Sequence, residues 1–144
     1  MNASRLYVSH SILLLSIFAR LASSTFNLNT SGPDWDYTAK GLANTTSPAC
    51  QDAYSGDIEC DVTLLGLVAS MRPGFQPTPS DFDNTCTPRC TASLVSHIQG
   101  VQEACTAPGD KAQEDAGGTE MTLNPVEIVG QIFQFTLVRQ CSKS

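Results

Sequence analysis

Six cysteines are the residues of this chain best suited by type and spacing to chemistry: Cys50, Cys60, Cys86, Cys90, Cys105 and Cys141. The run Cys86-Thr-Pro-Arg-Cys90 has a spacing compatible with zinc ligands, a redox pair or two structural bridges. A structural zinc site usually has a second tight cysteine pair or histidines at fixed spacing, and a redox pair usually encloses two residues. The pattern therefore predicts three disulfide bonds, with no metal and no cofactor.

Nucleophilic catalysis needs a nucleophile, a base and an orienting group. His97 is the only histidine after residue 24, and Ser93 and Ser96 are its neighbours in sequence. No Gly-x-Ser-x-Gly turn occurs. The carboxylates cluster in loops and at predicted helix starts, where solvation and capping explain them. We expect no enzyme, and a small hydrolase that uses His97 is the least favoured alternative.

The N-terminal residues predict the compartment. Arg5 precedes the apolar run Ile12–Phe18, and small residues follow near Ala22 to Ser24. This pattern is typical of a cleaved secretory signal peptide, here residues 1–24, and the run is too short to span a bilayer. Removing it leaves 6 basic and 14 acidic residues, a net charge of −8. The sequence predicts a secreted, extracellular protein with no nucleic-acid or membrane partner.

Residues 25–46 are polar and predict an extended, poorly ordered, glycosylated arm. The glycosylation acceptors are Asn29, in Asn29-Thr-Ser, and Asn44, in Asn44-Thr-Thr. Trp35 and Tyr37 also lie here. We favour aromatic side chains that fold back on the domain over an aromatic ligand platform.

Residues 47–144 predict a cysteine-rich helical domain. Ser47-Pro48 is typical of a helix start, and this helix is expected to reach about Ser55. A second helix is expected after Asp57 or Asp61 and ends before Pro73. Residues 73–85 contain three prolines and predict a loop.

The third helix has the sharpest pattern. Thr87 and Pro88 are typical of a cap and a first helical residue. One stripe, spanning about 80° at 100° per residue, then contains apolar side chains with a cysteine at each end: Cys90, Leu94, Ile98, Val101 and Cys105. Residues 106–120 predict a mobile loop.

A fourth helix is predicted from about Pro125 to Arg139, after Asn124 as its cap. Residues 131–138 also have strand propensity, and the choice between helix and strand stays open at this point. We retain the helix because no second strand is available to pair with. The predicted fold class is all-α: a small disulfide-stapled bundle of about four short helices with a disordered N-terminal arm.

Six cysteines allow 15 disulfide connectivities. In a continuous third helix Cys90 and Cys105 lie about 22 Å apart, too far for a bridge. If the second and third helices form an antiparallel hairpin, Cys60 meets Cys105. If the last helix runs back along the third, Cys141 lies near Cys86 and Cys90. The expected set is then Cys60–Cys105, Cys86–Cys141 and Cys50–Cys90.

The cysteine framework resembles the cysteine-rich N-terminal or spacer domain of secreted fungal LysM-domain proteins. The similar residues are Cys50…Ile58-Glu-Cys60…Leu64-Leu65, Cys86-Thr-Pro-Arg-Cys90-Thr-Ala-Ser-Leu94, Val101-Gln-Glu-Ala-Cys105, and Pro125-Val…Phe133-Gln-Phe135…Cys141-Ser-Lys. The resemblance implies a fungal, secreted, helical, disulfide-held domain that acts at the cell surface or toward a host. LysM modules, which bind chitin-type polymers, are absent, so the resemblance assigns sugar binding to no residue.

These observations predict a secreted, non-enzymatic, cysteine-rich protein, either effector-like or a wall-associated interaction module. Its expected partner is an extracellular protein or a cell-wall polysaccharide. The alternative is a carbohydrate-binding protein of the chitin-binding type. The sequence leaves open the ligand, the cleavage site and the oligomeric state.

Overall fold

The computed structural model describes residues 24–29, 42–68, 75–115 and 121–142. Within these residues five helices and one hairpin follow in the order α1 Pro48–Tyr54, α2 Thr63–Val68, α3 Pro79–Thr85, α4 Pro88–Ala104, β1 Lys111–Asp115, β2 Met121–Pro125 and α5 Glu127–Cys141. The fold is mostly helical and held by three disulfide bonds, as the sequence predicted.

The helix starts form where the capping residues predicted them. The Ser47 hydroxyl accepts a hydrogen bond from the Cys50 backbone N–H at the start of α1. Thr87 does the same for the Cys90 N–H, at 3.1 Å, at the start of α4. Each hydroxyl pairs one of the backbone donors that the first turn of a helix leaves unpaired. Just before α2, the Asp61 carboxylate accepts hydrogen bonds from the backbone N–H and the hydroxyl of Thr63, the first residue of the helix.

The loop predicted over residues 73–85 is wrong in its second half, where α3 forms. Thr78 and Asp81 make a capping box: the Asp81 carboxylate accepts from the Thr78 backbone N–H at 2.7 Å, and the Thr78 hydroxyl accepts from the Asp81 N–H. Pro79 occupies the first helical position, where its missing N–H costs nothing. The proline indicated a helix start here rather than a loop.

The mobile loop predicted over residues 106–120 is also wrong in part, because Lys111–Asp115 forms β1. It pairs antiparallel with β2, with Ala112 opposite Asn124 and Gln113 opposite Leu123. The segment Lys-Ala-Gln-Glu-Asp lacks the apolar alternation from which strands are predicted. Strands pair through backbone hydrogen bonds, which every residue type except proline can make. The side-chain pattern of this segment therefore did not predict the strand.

Residues 131–138 are helical, since α5 covers the whole of Glu127–Cys141. Asn124 and Pro125, expected as its cap and first residue, end β2 instead. The prediction of a helix is thus confirmed, although strands do exist in this chain. The two strands pair with each other and end just before α5, so neither includes residues of this helix.

The core lies around α4, which packs against both α1 and α5, while α2 packs against α5. Four members of the predicted α4 stripe are buried: Cys90, Leu94, Ile98 and Val101. Cys105, the fifth, is partly buried and packs against the same core. The α4 stripe is confirmed as the centre of the domain.

Both described ends of the segment predicted as an extended arm pack on the domain. Phe26 pairs with Ile58 through two backbone hydrogen bonds, and its ring lies 6.1 Å from that of Phe133. Leu28 is also buried, and Leu42 pairs with Ala112 of β1. Apolar residues at both ends thus anchor the predicted arm, and the core begins before residue 47. Residues 30–41, with Trp35 and Tyr37, lie outside the described residues, as do residues 1–23 of the predicted signal peptide.

In the described part of the chain, none of the helices is both long and apolar enough to cross a membrane.

Candidate functional site

All six cysteines form disulfide bonds, so the Cys86-Thr-Pro-Arg-Cys90 motif has no free thiol. Cys86, just before α4, is bonded to Cys141 at the end of α5. Cys90, in the first turn of α4, is bonded to Cys60. The motif therefore fastens two different segments of the chain to one end of α4. Since neither sulfur is a thiolate, the motif has neither a nucleophile nor a metal ligand.

Two of the three predicted bridges are wrong and one, Cys86–Cys141, is confirmed. Cys50 is bonded to Cys105 and Cys60 to Cys90. The prediction assumed that α2 packs antiparallel on α4, whereas α1 packs on α4 and α2 packs mainly on α5. The chain from Cys50 to Cys60 runs from the C-terminal end of α4 back to its first turn. The exclusion of a Cys90–Cys105 bridge holds, because α4 is continuous between them.

An ion pair reinforces the same end of α4. The Arg89 guanidinium donates two hydrogen bonds to the Glu59 carboxylate, Nε to Oε2 at 2.9 Å and a terminal nitrogen to Oε1 at 2.6 Å. The Arg89 hydrogen bond is the main cause that lowers the pKa of Glu59. Both side chains are largely exposed, so the pair contributes little to stability by itself. This pairing was not predictable from the sequence pattern, because the partners are 30 residues apart.

His97, the one candidate base, is a buried residue of α4. It is 9% exposed, and its Nε2 is buried without a hydrogen-bond partner. Burial lowers the pKa of His97. The Ser93 hydroxyl accepts a hydrogen bond from the Glu59 backbone N–H at 2.9 Å, and Ser96 is exposed. His97 is thus a buried side chain whose Nε2 has no serine as a hydrogen-bond partner.

Tyr54 is a second buried polar side chain that the sequence did not single out. It is fully buried in α1, and its hydroxyl has no hydrogen-bond partner. Burial raises the pKa of Tyr54 to about 12, so the phenol stays neutral. Tyr54 and His97 are neutral groups of the core and have no hydrogen-bond relay to the surface through these atoms.

The residues around Asp110 connect the start of α1 to the hairpin. The Asp110 carboxylate accepts from the backbone N–H groups of Ser47, at 2.7 Å, and Ala107, at 2.8 Å. These bonds lower its pKa, the Ser47 bond most strongly. Asp110 is 4% exposed, and its acceptors are occupied by backbone donors. It is a structural carboxylate and not a catalytic acid. Across the described ranges, no group of three or more His, Cys, Asp or Glu side chains is placed to hold a metal ion.

The two predicted glycosylation acceptors differ in their surroundings. Asn44 is exposed in a tight turn closed by a hydrogen bond from the Thr46 N–H to the Ala43 carbonyl. The hydroxyls of Thr45 and Thr46 donate to the carbonyls of Gly109 and Lys111 and hold the turn on the domain. Asn29 is also exposed, but its side-chain amide donates to the Ser55 hydroxyl at 2.9 Å. Asn44 is therefore the more accessible acceptor, because the side-chain amide of Asn29 is engaged in a hydrogen bond.

Two curated proteins are similar to most of this chain. A "LysM domain-containing protein" of Arthroderma benhamiae is 25% identical over 117 residues, which cover 81% of this chain and 19% of the relative. A "Secreted LysM effector Vd5LysM" of Verticillium dahliae is 28% identical over 111 residues, 72% of this chain and 14% of the relative. The chain thus spans a fifth or less of the length of these relatives. No family model and no solved structure matches.

Proposed function

We propose that this chain is a secreted, non-enzymatic, cysteine-rich interaction module, either effector-like or wall-associated. The observation that carries the proposal is the use of all six cysteines in bridges that fasten α1, α3, α4 and α5 together. Such a framework suits an oxidising extracellular compartment, where small domains depend on disulfides. One of the similar proteins is named a secreted effector. We propose that the framework is the cysteine-rich N-terminal or spacer domain of LysM-type proteins.

The surroundings of the candidate catalytic groups support a role without catalysis. A general base must reach the proton that it removes, directly or through one water. The only histidine after residue 24 has a buried, unpartnered Nε2, and Asp110, a buried carboxylate, accepts from two backbone N–H groups. Each of these groups has a structural explanation. The hydrolase alternative therefore rests on His97 alone.

Secretion and glycosylation are part of the same proposal. Residues 1–24 act as the signal peptide, and Asn44 and Asn29 carry N-linked glycans. The exposed Asn44 turn leaves space for a glycan without disturbing the core. The measurement is the mass of the secreted chain before and after enzymatic deglycosylation. Loss of one glycan in Asn44→Gln and retention in Thr46→Ser, which keeps the sequon and the hydroxyl, are the expected results.

Chitin-type carbohydrate binding is the second candidate, because both similar proteins are named for LysM. A pull-down of the secreted chain on insoluble chitin separates the two functions. We expect no retention for an interaction module whose partner is a protein. Retention that is lost in Trp35→Ala but kept in a variant of an exposed α4 residue, such as Ser96→Ala, would replace our proposal with sugar binding.

Affinity capture identifies the partner of the interaction module. The tagged, secreted chain is incubated with culture medium, wall extracts and host tissue, and bound proteins are identified by mass. A protein captured by the oxidised chain and lost after reduction of the bridges supports the proposal. Hydrolysis of a peptide, ester or glycan substrate that is lost in His97→Ala, with the far-ultraviolet circular dichroism unchanged, would contradict it.

A further inference from the structure

The three bridges differ in how far their cysteines are buried. Both residues of the Cys86–Cys141 bridge are partly exposed, and we call it the α5 bridge because it ends in α5. Of the other four cysteines, three are almost completely buried and one is partly buried: Cys50 at 0%, Cys60 at 2%, Cys90 at 0%, and Cys105. A thiolate must reach a sulfur atom to open a disulfide, and exposed disulfides are the more labile ones. The α5 bridge is therefore the bridge that a reductant reaches most readily.

The α5 bridge also has a separate place along the chain. The loop closed by Cys60–Cys90 lies inside the loop closed by Cys50–Cys105, so these two bridges cross-link only residues 50–105. The α5 bridge joins that part of the chain to the residues beyond it, which include the hairpin and α5. All six cysteines are paired, so no other bridge makes this connection. Opening the α5 bridge thus leaves both other loops closed and removes the cross-link of α5 alone.

Without the α5 bridge, α5 is held in the domain by packing. Its residues Phe133 and Leu137 are buried in the core, where α5 packs against α4 and α2. The ring of Phe133 also lies 6.1 Å from that of Phe26, near the start of the described chain. A helix of 15 residues is only marginally stable by itself in water. Detachment of α5 therefore exposes Phe133 and Leu137 and removes the aromatic neighbour of Phe26.

We propose that the α5 bridge is a redox switch: a dithiol opens it before the other two bridges, and α5 then detaches from the core while residues 50–105 stay cross-linked. One thiolate of the dithiol attacks the sulfur of Cys86 or Cys141, the S–S bond breaks, and the other cysteine leaves as a thiolate and takes up a proton. The second thiol of the reductant, after losing its proton, attacks the mixed disulfide. The reductant loses two electrons and ends as a disulfide, and both cysteines end as thiols. Exposure of the apolar side of α5 thus depends on the thiol content of the surroundings.

Limited reduction of the full oxidised chain tests the order of opening. The chain is treated with dithiothreitol, free thiols are blocked with N-ethylmaleimide at successive times, and each labelled cysteine is identified by tandem mass spectrometry of its peptides. We expect Cys86 and Cys141 to be labelled at least about tenfold faster than the other four cysteines, because a buried disulfide must first become accessible. Equal labelling of all six, or earlier labelling of Cys50 and Cys105, would overturn the proposal.

Hydrogen exchange tests the consequence of opening. Cys86→Ala/Cys141→Ala imitates the open α5 bridge, and Cys60→Ala/Cys90→Ala is the matched control with another bridge removed. In the first variant we expect amide protection in α5 to fall about 30- to 1,000-fold below that of the oxidised chain, the range typical of one lost bridge. Protection in α5 should also fall at least about tenfold below that in α4, whereas in the control both helices should lose protection together. Equal protection of α4 and α5 in the first variant, or no protected amides at all, would show that α5 opens only with the whole domain and would rule out the switch.

Discussion

His97 shows at the residue scale how a candidate catalytic group becomes part of a core. Its Nδ1 lies close to Gly56, where an added Cβ would be 3.8 Å away, and its Cδ2 lies equally close to Gly130 of α5. A ring with a carbon edge against one glycine and a nitrogen toward another fills space between α1, α4 and α5. The imidazole thus serves as a packing group in the core, and burial lowers its pKa and keeps it neutral.

This burial predicts a pH dependence. The pKa of His97 is lowered in the folded chain, so the unfolded chain binds a proton more readily. The stability that depends on neutral His97 is fully present above the ordinary histidine pKa of about 6.5. It is lost as the pH falls from there toward the folded pKa. Urea unfolding with the bridges intact, measured from about pH 7.5 to about pH 5, should show a falling free energy of unfolding.

His97→Leu is the control for this dependence, because leucine fills part of the same space and does not titrate. We expect its free energy of unfolding to be nearly constant over the same range. The described carboxylates with lowered pKa values, Glu59, Asp81 and Asp110, lose their contributions mainly below about pH 4.5, outside the range measured. An equal slope in wild type and His97→Leu would contradict the assignment.

At the element scale, the sequence predicted features that depend on neighbouring residues. Ser47-Pro48 and Thr87-Pro88 each place a hydroxyl and a proline at a helix start, and both starts form as predicted. The α4 stripe could be predicted as well, because helical periodicity depends only on residues within the same helix. Thr78-Pro79 has the same combination at the start of α3. It was not recognised because the three prolines of residues 73–85 led to the prediction of a loop.

Features that depend on distant residues were not predictable in this way. The sequence could exclude a Cys90–Cys105 bridge from helix length alone. It could not choose between Cys105 and Cys90 as the partner of Cys50, because that choice depends on whether α1 or α2 packs on α4. The same limit applies to the pairing of β1 with β2 and to the Arg89–Glu59 pair.

Two glycines test how closely α4 and α5 pack. A Cβ at Gly130 would lie 2.8 Å from Ile98 Cγ1, so in Gly130→Ala either the Ile98 side chain or α5 itself must shift. We expect a loss of about 1–3 kcal/mol in the free energy of unfolding, typical of overpacking. Gly100→Ala on α4 is the matched control, since its Cβ meets nothing within 4 Å. It should stabilise by about 0.5–1 kcal/mol through helix propensity. Equal effects in chemical denaturation would show that the two helices are not in close contact.

At the scale of the whole molecule, the bridges join elements that are far apart along the chain and pack around α4. Two of them span 55 residues and one spans 30, and the loops they close overlap along the chain. The helices α1, α2 and α3 are only 6 or 7 residues long, too short to be stable alone. The bundle therefore depends on the connections between elements more than on the elements themselves.

Reduction of all three bridges should consequently unfold the domain. Each bridge typically stabilises a fold by about 2–4 kcal/mol, mainly by restricting the unfolded chain, so three together contribute roughly 6–12 kcal/mol. The total stability of a small domain is about 5–15 kcal/mol, which leaves little or nothing after reduction. Far-ultraviolet circular dichroism and protease resistance at neutral pH, with and without a phosphine reductant, measure the loss. The double variant Cys60→Ala/Cys90→Ala opens the shortest loop and should cost about 0.5 kcal/mol less than Cys86→Ala/Cys141→Ala, because the entropy of a closed loop grows with the logarithm of its length. A reduced chain that keeps its helical signal and a cooperative thermal transition would mean that the packing around α4 alone holds the fold.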